Sequence, residues 1–314
     1  MAGSIKNVGV IGLGIIGSRV AENLRKADFN VFVWNRSPRP VPNFLSSPRE
    51  VAEVSDAVQI FVRDAKALIE VLTQLRPALR PHHLILCHAT VSLGAIREAA
   101  DLIADTGALF IDAPFTGSKM AAQNGELVYY IAGDPGGIER MMPVLKCSGK
   151  TVLHFGNHQG DATVLKIATN LVSAAVVEAL AEAYALTLRQ GVSGEKLLEA
   201  FRNNANFSPL IAMKLPSMIA GSYEAHFSLQ NMLKDARYAQ ELATEKKVLT
   251  PVLDATEQAM SKAVAAGHGD SDYAAVAENY ALPKTDPKKI GVTLGKASLK
   301  ASTFEGGTPE EGDK

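Results

Sequence analysis

The sequence predicts an α/β domain with a mostly parallel, doubly wound sheet, followed by an all-α C-terminal domain that a long helix joins to it. Three observations lead to this fold class. Short apolar runs alternate with amphipathic segments through the first half, a long Ala- and Leu-rich stretch without Pro or Gly covers residues 161–190, and no convincing strand follows it. Alternation of this kind is typical of parallel sheets with helices on both faces.

The elements follow in order along the chain. Strands are predicted at residues 8–11, 30–34, 57–62, 84–87, 109–112, 128–132 and 151–155, with a helix over 18–26 after the first of them. Helices are predicted at residues 161–190, 194–202, 229–246, 251–266 and 273–280.

We therefore assign residues 1–161 to an α/β domain of the kind that binds dinucleotides, and residues 162–283 to an all-α substrate and oligomerisation domain. Beyond residue 283 the apolar pattern gives way to Pro, Gly, Ser, Thr and charged residues. Such a composition cannot bury enough apolar surface to fold, so residues 284–314 are expected to form a disordered tail.

Composition excludes several classes of function. The 32 Lys and Arg residues nearly balance the 33 Asp and Glu residues, which removes the simplest argument for a nucleic acid or an anionic membrane as partner. The two cysteines form no CxxC pair, which fits a reducing compartment. No uninterrupted apolar run reaches the roughly 18 residues of a membrane span, and no signal peptide is recognisable, so a cytoplasmic protein is expected.

A glycine motif, Gly12-Leu13-Gly14-Ile15-Ile16-Gly17, directly follows the first strand and opens the first helix. The motif is weak by itself, but this strand–turn–helix context is the one it requires. The first glycine permits a tight turn, the second lets the backbone approach a pyrophosphate, and the third allows close packing of helix and strand. The pattern predicts a Rossmann domain that binds a dinucleotide; a glycine-rich turn that binds nothing is the alternative.

The end of the second strand indicates which dinucleotide is bound. NAD enzymes place Asp or Glu roughly 20 residues after the motif to bind the ribose 2′-hydroxyl. Here the sequence is Asn35-Arg36-Ser37, which contains no carboxylate. Arg36 can pair with a 2′-phosphate, assisted by Asn35 and Ser37, so NADP is predicted. A solvated arginine at a strand end is the alternative.

A charged residue, Lys166, lies within the apolar helical segment, and Asn170 lies one turn further on the same face. Desolvation lowers the pKa of a lysine from about 10.4 towards neutrality, which suits a general acid that protonates a carbonyl oxygen. Asn170 would orient the lysine or the substrate. A lysine whose stem only covers apolar surface is an equally valid interpretation of the pattern alone.

Histidine provides no competing site. The seven histidines have no metal-ligand spacing, so roles on the surface or in the core are expected rather than a metal site. His88 lies at the carboxyl end of a strand, near the expected nicotinamide position.

These motifs together resemble the β-hydroxyacid dehydrogenase family, which includes 3-hydroxyisobutyrate dehydrogenase and tartronate semialdehyde reductase. Ile16 stands where the family usually has Met, and residues 112–118 resemble its substrate loop, with Phe115 in place of Val and Thr116 in place of Ser. The other matches are Gly160 with Lys166 and Asn170, the pair Lys234-Asp235, and residues 267–272.

The resemblance implies a role for each matched residue. Lys166 becomes the expected catalytic acid/base, with Asn170 as its partner. A substrate carboxylate would be bound by Thr116, Gly117 and Ser118. Further cofactor contacts are implied for Val62, Arg63, Thr90 and Lys234.

Within the family, residues 117–119 and 121–125 look most like the glyoxylate and succinic semialdehyde reductase branch, which prefers NADPH. The implied function is NADPH-dependent reduction of a small carboxylate-bearing aldehyde or ketone. An imine reductase is an alternative, although imine reductases usually carry Asp or Tyr at the position of Lys166. A catalytically silent dinucleotide-binding protein is another. The long apolar helix predicts a homodimer or homotetramer.

Overall fold

The computed structural model describes residues 5–282, so the tail predicted for residues 284–314 lies outside the described residues. The described chain divides into two compact units. Of the described residues, we call 5–176 together with 224–273 the sheet unit, and 177–223 together with 274–282 the helical unit. The domain boundary that we placed at residue 161 stays a prediction.

An eight-stranded sheet forms the centre of the sheet unit, in the order β2-β1-β3-β4-β5-β7-β6, with β8 pairing to β7. The β1–β2, β1–β3, β3–β4, β4–β5 and β7–β8 pairs are parallel, whereas β7 is antiparallel to β5 and β6. The strands are β1 (Asn7–Ile11), β2 (Asn30–Trp34), β3 (Ala57–Ile60), β4 (Leu84–Cys87), β5 (Leu109–Asp112), β6 (Phe115–Thr116), β7 (Leu127–Gly133) and β8 (Gly149–Gly156).

The central strands are buried on both faces, which explains why they appear in the sequence as short continuous apolar runs. Val8 and Val10 of β1 belong to one hydrophobic cluster, and Ile11 belongs to the cluster on the opposite face, as the alternation of strand side chains requires.

Six helices connect the strands: α1 (Gly17–Lys26), α2 (Pro48–Val54), α3 (Ala65–Leu75), α4 (Leu93–Ile103), α5 (Lys119–Gln123) and α6 (Pro135–Leu145). Four of them begin after a residue whose side-chain oxygen accepts a hydrogen bond from the first turn, namely Ser47, Asp64, Ser92 and Asp134. These caps satisfy backbone N–H groups that have no partner within the helix.

The remaining helices are α7 (Asp161–Arg189), α8 (Gly194–Arg202), α9 (Pro209–Ala220), α10 (Leu229–Lys246) and α11 (Pro251–Ala263). The first part of α7, α10 and α11 belong to the sheet unit, where Ile167 packs with Ala236, Ala239 and Leu253. The rest of α7, α8 and α9 belong to the helical unit. The predicted fold class, a Rossmann sheet followed by an all-α region, is confirmed.

Several elements differ from the prediction, among them the two-residue strand β6, which lies within the predicted substrate loop. Helix α9 was not predicted, because Pro216 lies inside it and proline is unfavourable there. Helix α11 ends at Ala263, followed by a wide turn in which Gly267 has a positive φ of 96°. Residues Tyr273–Tyr280 form a 3₁₀ helix instead of an α-helix.

Among the described residues, α7 is the one helix long and apolar enough to cross a membrane by length and composition. Its Lys166 and Asn170 are buried and hydrogen-bonded within the protein, and 44% of its most apolar window is buried.

Candidate active site

The glycine turn lies between β1 and α1, as predicted. Gly12 has a φ of 94°, and a Cβ at this position would lie 2.0 Å from the carbonyl oxygen of Phe61. Only glycine therefore fits, and the Gly12 N–H is free to reach the Trp34 carbonyl at the end of β2. The turn is held tightly between its two neighbouring strands.

The same turn leaves room for a ligand. A Cβ at Gly14 would meet no protein atom within 4 Å, and Ile15 beside it is exposed. Helix α1 begins after Ile16 without a side-chain cap. The N–H groups of residues 18–20 bond to carbonyls of the turn itself, so the start of α1 directs the positive end of the helix dipole at a phosphate. With the open space at Gly14, this arrangement fits a dinucleotide pyrophosphate.

The side chains after β2 divide into two kinds. The Oδ1 of Asn35 accepts a hydrogen bond of 2.9 Å from the Leu13 N–H, and its Nδ2 donates to the Ser37 carbonyl at 2.8 Å. Asn35 thus links the end of β2 to the glycine turn. Arg36 and Ser37 are exposed, so their side chains are accessible to a phosphate at this edge.

The neighbouring strand ends carry the other predicted cofactor contacts. Val62 is half-buried and Arg63 is exposed, with its Nε 3.4 Å from a carboxylate oxygen of Asp64. Thr90 follows β4 and is half-buried, and its carbonyl accepts a hydrogen bond of 2.5 Å from the Lys234 Nζ. Lys234 therefore contacts the predicted cofactor edge, although its ammonium is engaged by the protein.

The predicted carboxylate-binding residues lie between β6 and α5. Thr116 is in β6, paired with Val128; Gly117 is exposed with a φ of 139°; and Ser118 precedes α5 without a side-chain hydrogen bond to the helix. An uncapped turn with adjacent hydroxyl groups can donate hydrogen bonds to a carboxylate.

The two lysines are connected by one hydrogen-bond network. The Nζ of Lys166 donates to the Asn170 Oδ1 at 2.8 Å, and the Asn170 Nδ2 donates to the Asp235 Oδ2 at 2.7 Å. The other oxygen of Asp235 accepts from the Lys234 Nζ at 2.8 Å. The i, i+4 spacing on α7 thus brings Lys166 and Asn170 together as predicted, and α10 provides the carboxylate.

The Lys166 ammonium has an unusual environment. The residue is only 8% exposed, and its Nζ donates to a neutral amide oxygen. Burial lowers the pKa of Lys166 to about 8, and Lys234 contributes in the same direction, whereas Asp235 opposes the shift. A lysine with this pKa can give up or take a proton near neutral pH, as general acid–base chemistry requires.

A second carboxylate fixes the helix that carries Lys166. Asp112, at the end of β5, is fully buried; its Oδ2 accepts from the Gly160 and Thr163 N–H groups at 3.1 and 2.8 Å. Its Oδ1 accepts from the Thr163 hydroxyl at 2.7 Å. Lys166 lies one turn beyond Thr163, so Asp112 connects the substrate-loop strand to the start of the lysine-bearing helix.

Comparison with known proteins identifies the family. Residues 7–156 match the family model for the NAD binding domain of 6-phosphogluconate dehydrogenase, and residues 160–280 match the model for NAD-binding of NADP-dependent 3-hydroxyisobutyrate dehydrogenase. The chain is 31% identical over 289 residues to glyoxylate/succinic semialdehyde reductase 2, chloroplastic, of Arabidopsis thaliana, covering 89% of this chain and 80% of that protein. The chain belongs to the β-hydroxyacid dehydrogenase family.

Other members of the family agree with this assignment. L-threonate dehydrogenase of Cupriavidus necator is 30% identical over 281 residues, which cover 86% of this chain and 95% of that protein. The structure of Mycobacterium tuberculosis 3-hydroxyisobutyrate dehydrogenase with L-serine has the same fold, with a TM-score of 0.79, 24% identity, and coverage of 88% of this chain and 99% of that chain. This β-hydroxyacid dehydrogenase is accordingly an NAD(P)-dependent oxidoreductase of the hydroxyacid dehydrogenase type.

Sequence reasoning missed two residues of the site. Asp235 and Asp112 were both quoted within family motifs, but neither was given a role. A carboxylate next to Lys234, and one that ends the apolar run of β5, were the available signals. The sequence could not reveal that both carboxylates bond to residues of α7 or its start, because these hydrogen bonds span 65 and 51 residues.

Proposed function

We propose that this β-hydroxyacid dehydrogenase uses NADPH to reduce a small carboxylate-bearing aldehyde or ketone to the hydroxy acid, with Lys166 as the general acid. Glyoxylate and succinic semialdehyde are the first candidates, because both name the Arabidopsis relative. The observation that carries the proposal is a buried lysine bonded to a neutral amide, with its pKa lowered to about 8.

The residues divide the chemistry between them. When bound, the nicotinamide supplies a hydride to the carbonyl carbon. Lys166 gives a proton to the carbonyl oxygen, so the carbonyl becomes a hydroxyl group and the lysine recovers its proton from solvent. Asn170 holds the ammonium through its Oδ1, and its own orientation is fixed by Asp235. Thr116, Gly117 and Ser118 provide donors for the carboxylate.

The first experiment follows nicotinamide absorbance with NADPH or NADH against glyoxylate, succinic semialdehyde and related carbonyl acids. Oxidation of NADPH with at least one of these acids is expected. Turnover of a cyclic imine without activity on any carbonyl acid would instead support the imine reductase alternative. Tight NADPH binding without turnover on any compound would support a silent binding protein.

The role of Lys166 is tested by two variants. Lys166→Ala should lower kcat by about 10³-fold, within the range for general acid–base groups, with little change in NADPH affinity. Lys166→Arg should be nearly as slow, because arginine keeps the charge but does not release its proton. Lys262→Ala, at an exposed position on α11, is the matched control and should leave kcat unchanged.

The pH profile has a defined sign. The protonated lysine is the active form in reduction, so the reductive rate should fall as pH rises through about 8. The oxidative rate should rise over the same interval, because the neutral amine accepts the proton. A Lys166→Ala enzyme with full turnover and the same pH dependence would refute this role.

The preference for NADPH rests on Arg36. The side chain is exposed at the end of β2, where no carboxylate is present to bind a ribose 2′-hydroxyl. Arg36→Ala should raise the KM for NADPH at least tenfold and leave that for NADH nearly unchanged, because loss of a charged pair worth about 1.4 kcal/mol is a tenfold effect. Lys26→Ala, at the C-terminal end of α1 and away from the glycine turn, is the control. Equal effects of Arg36→Ala on both cofactors would contradict the assignment.

Assembly and location complete the proposal. We infer a homodimer or homotetramer, because Val172 and Leu186 on α7 are 58% and 68% exposed although both are large and apolar. A monomeric mass in sedimentation would overturn this inference. A cytoplasmic location stays a prediction, which imaging of the tagged full chain would test.

A further inference from the structure

A buried polar and aromatic cluster lies at the carboxyl ends of β3, β4 and β5, and no part of the proposed mechanism uses it. Its centre is His88, which is 2% exposed. Gln59 of β3 lies beside it, fully buried within an otherwise apolar strand. Buried polar groups of this kind are costly unless they are hydrogen-bonded, so the bonds that they make indicate what they do.

The imidazole follows β4 and bridges the two strands on either side of it, β3 and β5. Its Nδ1 lies 2.6 Å from the carbonyl oxygen of Ala113, and its Nε2 lies 2.9 Å from the side-chain amide of Gln59. Burial lowers the pKa of His88 to about 4, so the ring is neutral and carries one N–H. The carbonyl of Ala113 can only accept, which places that proton on Nδ1.

This tautomer also determines the Gln59 amide. With the proton on Nδ1, the Nε2 of His88 is an acceptor, so Gln59 donates to it through its NH₂ group; amide oxygen and nitrogen are not distinguished by shape. In the orientation that the structure gives, the Oε1 of Gln59 faces His88 and its buried Nε2 has no hydrogen-bond partner, so exchanging the two amide atoms pairs the NH₂ group with the ring. The neutral chain of donors therefore runs from Gln59 to His88 to Ala113.

The ring also contacts the wall of the glycine turn. His88 stacks on Phe61, with ring centroids 4.4 Å apart and an angle of 16° between the planes, and Tyr129 lies 5.2 Å away on β7. Phe61 in turn lies 6.2 Å from Phe115 of the substrate loop. The backbone of Phe61 is the group that excludes any side chain at Gly12.

Ala113 begins the loop that the proposed function assigns to the substrate carboxylate. Its N–H donates to the Cys87 carbonyl at 2.9 Å, and its own carbonyl accepts from His88. Both backbone polar groups of this residue are thus held by β4 and the residue that follows it. Pro114 comes next and has a fixed φ, so the path of the chain towards Thr116 depends on how Ala113 is held.

From this geometry we infer that His88 is a positioning residue that sets the substrate loop, residues 113–118, against the cofactor edge of the sheet and thereby determines affinity for the substrate carboxylate. The inference rests on the proposed function for its effect on catalysis. Its structural part, the immobilisation of the loop, does not. Donors that are held in place before binding cost less to organise around a ligand, which is why a loss here affects substrate binding first.

The chain offers a matched control at the other end of the same strand. His83, just before β4, is 3% exposed, and its Nε2 lies 3.1 Å from the Ala52 carbonyl. His83→Leu and His88→Leu each remove a buried ring that bonds to a backbone carbonyl. We expect comparable losses of thermal stability, because each variant removes both hydrogen bonds of a buried imidazole.

Only His88→Leu should affect the site. It should raise the KM for the carbonyl acid about tenfold, change kcat less than threefold, and leave NADPH affinity within twofold. His88→Gln keeps an amide N–H that can reach Ala113 and should recover most of the affinity. Equal changes in KM for the His83 and His88 variants, or no rescue by glutamine, would overturn the inference.

Hydrogen–deuterium exchange of the full chain provides a readout that needs no substrate. His88→Leu should speed exchange at the amides of Ala113 and residues 115–118 at least tenfold relative to both the wild type and His83→Leu. Unchanged exchange there would refute the positioning role, whatever the enzyme reduces. Wild-type inactivity on all carbonyl acids, together with faster exchange in the variant, would refute the proposed function and leave the positioning role supported. If His88→Leu does not fold, the comparison uses His88→Gln and Gln59→Leu, which should give smaller increases in exchange.

Discussion

Two buried carboxylates, Asp112 and Asp235, hold α7 on either side of Lys166, and they do so by different means. Asp112 is bonded by neutral donors, two backbone N–H groups and a hydroxyl at the start of the helix. Asp235 is bonded by the Asn170 amide and by the ammonium of Lys234. One carboxylate therefore anchors the backbone, whereas the other belongs to a network of charged side chains.

The difference shows that two equally buried carboxylates take different roles when their hydrogen-bond partners differ. Burial raises the pKa of Asp112 to about 6, and the hydrogen bonds from Thr163 and Gly160 only partly oppose this shift. Asp235 is equally buried, but its charge affects a neighbouring residue. It raises the pKa of Lys166 and so opposes the effect of desolvation. Asp112 is thus a pH-sensitive anchor, and Asp235 opposes the loss of the proton from the reactive lysine.

The largest effect is expected from Asp235→Asn. Breaking a buried ion pair leaves Lys234 uncompensated and should cost about 3–5 kcal/mol of unfolding free energy. Because the raising effect of Asp235 is lost, the alkaline limb of the reductive rate should also move to lower pH. Chemical denaturation and the pH–rate profile measure the two effects. Asp254→Asn, at an exposed carboxylate bonded to Gln240, is the control. An unshifted alkaline limb would show that Asp235 does not raise the pKa of Lys166.

A smaller effect is expected at Asp112, whose contribution to stability decreases as pH rises. The carboxyl group ionises at about pH 6 when folded and near 3.8 when unfolded, so the folded state holds its proton longer. Its contribution to stability is complete below about pH 4 and is lost as pH rises through 6. Between these values the wild type should lose about 1–3 kcal/mol more than Asp112→Asn, since each pKa unit is worth about 1.4 kcal/mol. Denaturant titrations at pH 4, 5 and 6 measure the difference, and parallel curves would contradict it.

The smallest effect sharpens the comparison. Thr163→Val removes only the hydroxyl bond to Asp112 and should cost about 1–2 kcal/mol at pH 7. Because that bond lowers the pKa of Asp112, its loss should extend the pH-dependent decline in stability to higher pH. The same titrations, extended to pH 7 and 8, test this, with Thr256→Val as a control, because the buried Thr256 hydroxyl bonds within its own helix. A decline that ends at the same pH in Thr163→Val as in the wild type would count against the bond.

Much of the fold was predictable because local signals agreed with it. The apolar runs of β1, β2, β4 and β5 and the uninterrupted α7 appear directly in the sequence, and so does the shared face of Lys166 and Asn170. The polar partners were not predictable. Asn35 was expected to assist a phosphate, yet its amide is used by Leu13 and Ser37. No periodicity reveals such a bond, because its partner is chosen by tertiary packing.

The bond between Lys234 and the Thr90 carbonyl spans 144 residues, and this distance has a consequence for biosynthesis. The strands of the sheet pair with near neighbours and can form as they leave the ribosome. Closing a loop of this length carries an entropy cost that only the later contacts repay. Lys166 therefore reaches its final electrostatic environment only after α10 has been synthesised. In a nascent chain whose glycine turn has already formed, the pKa of Lys166 does not yet have its final value.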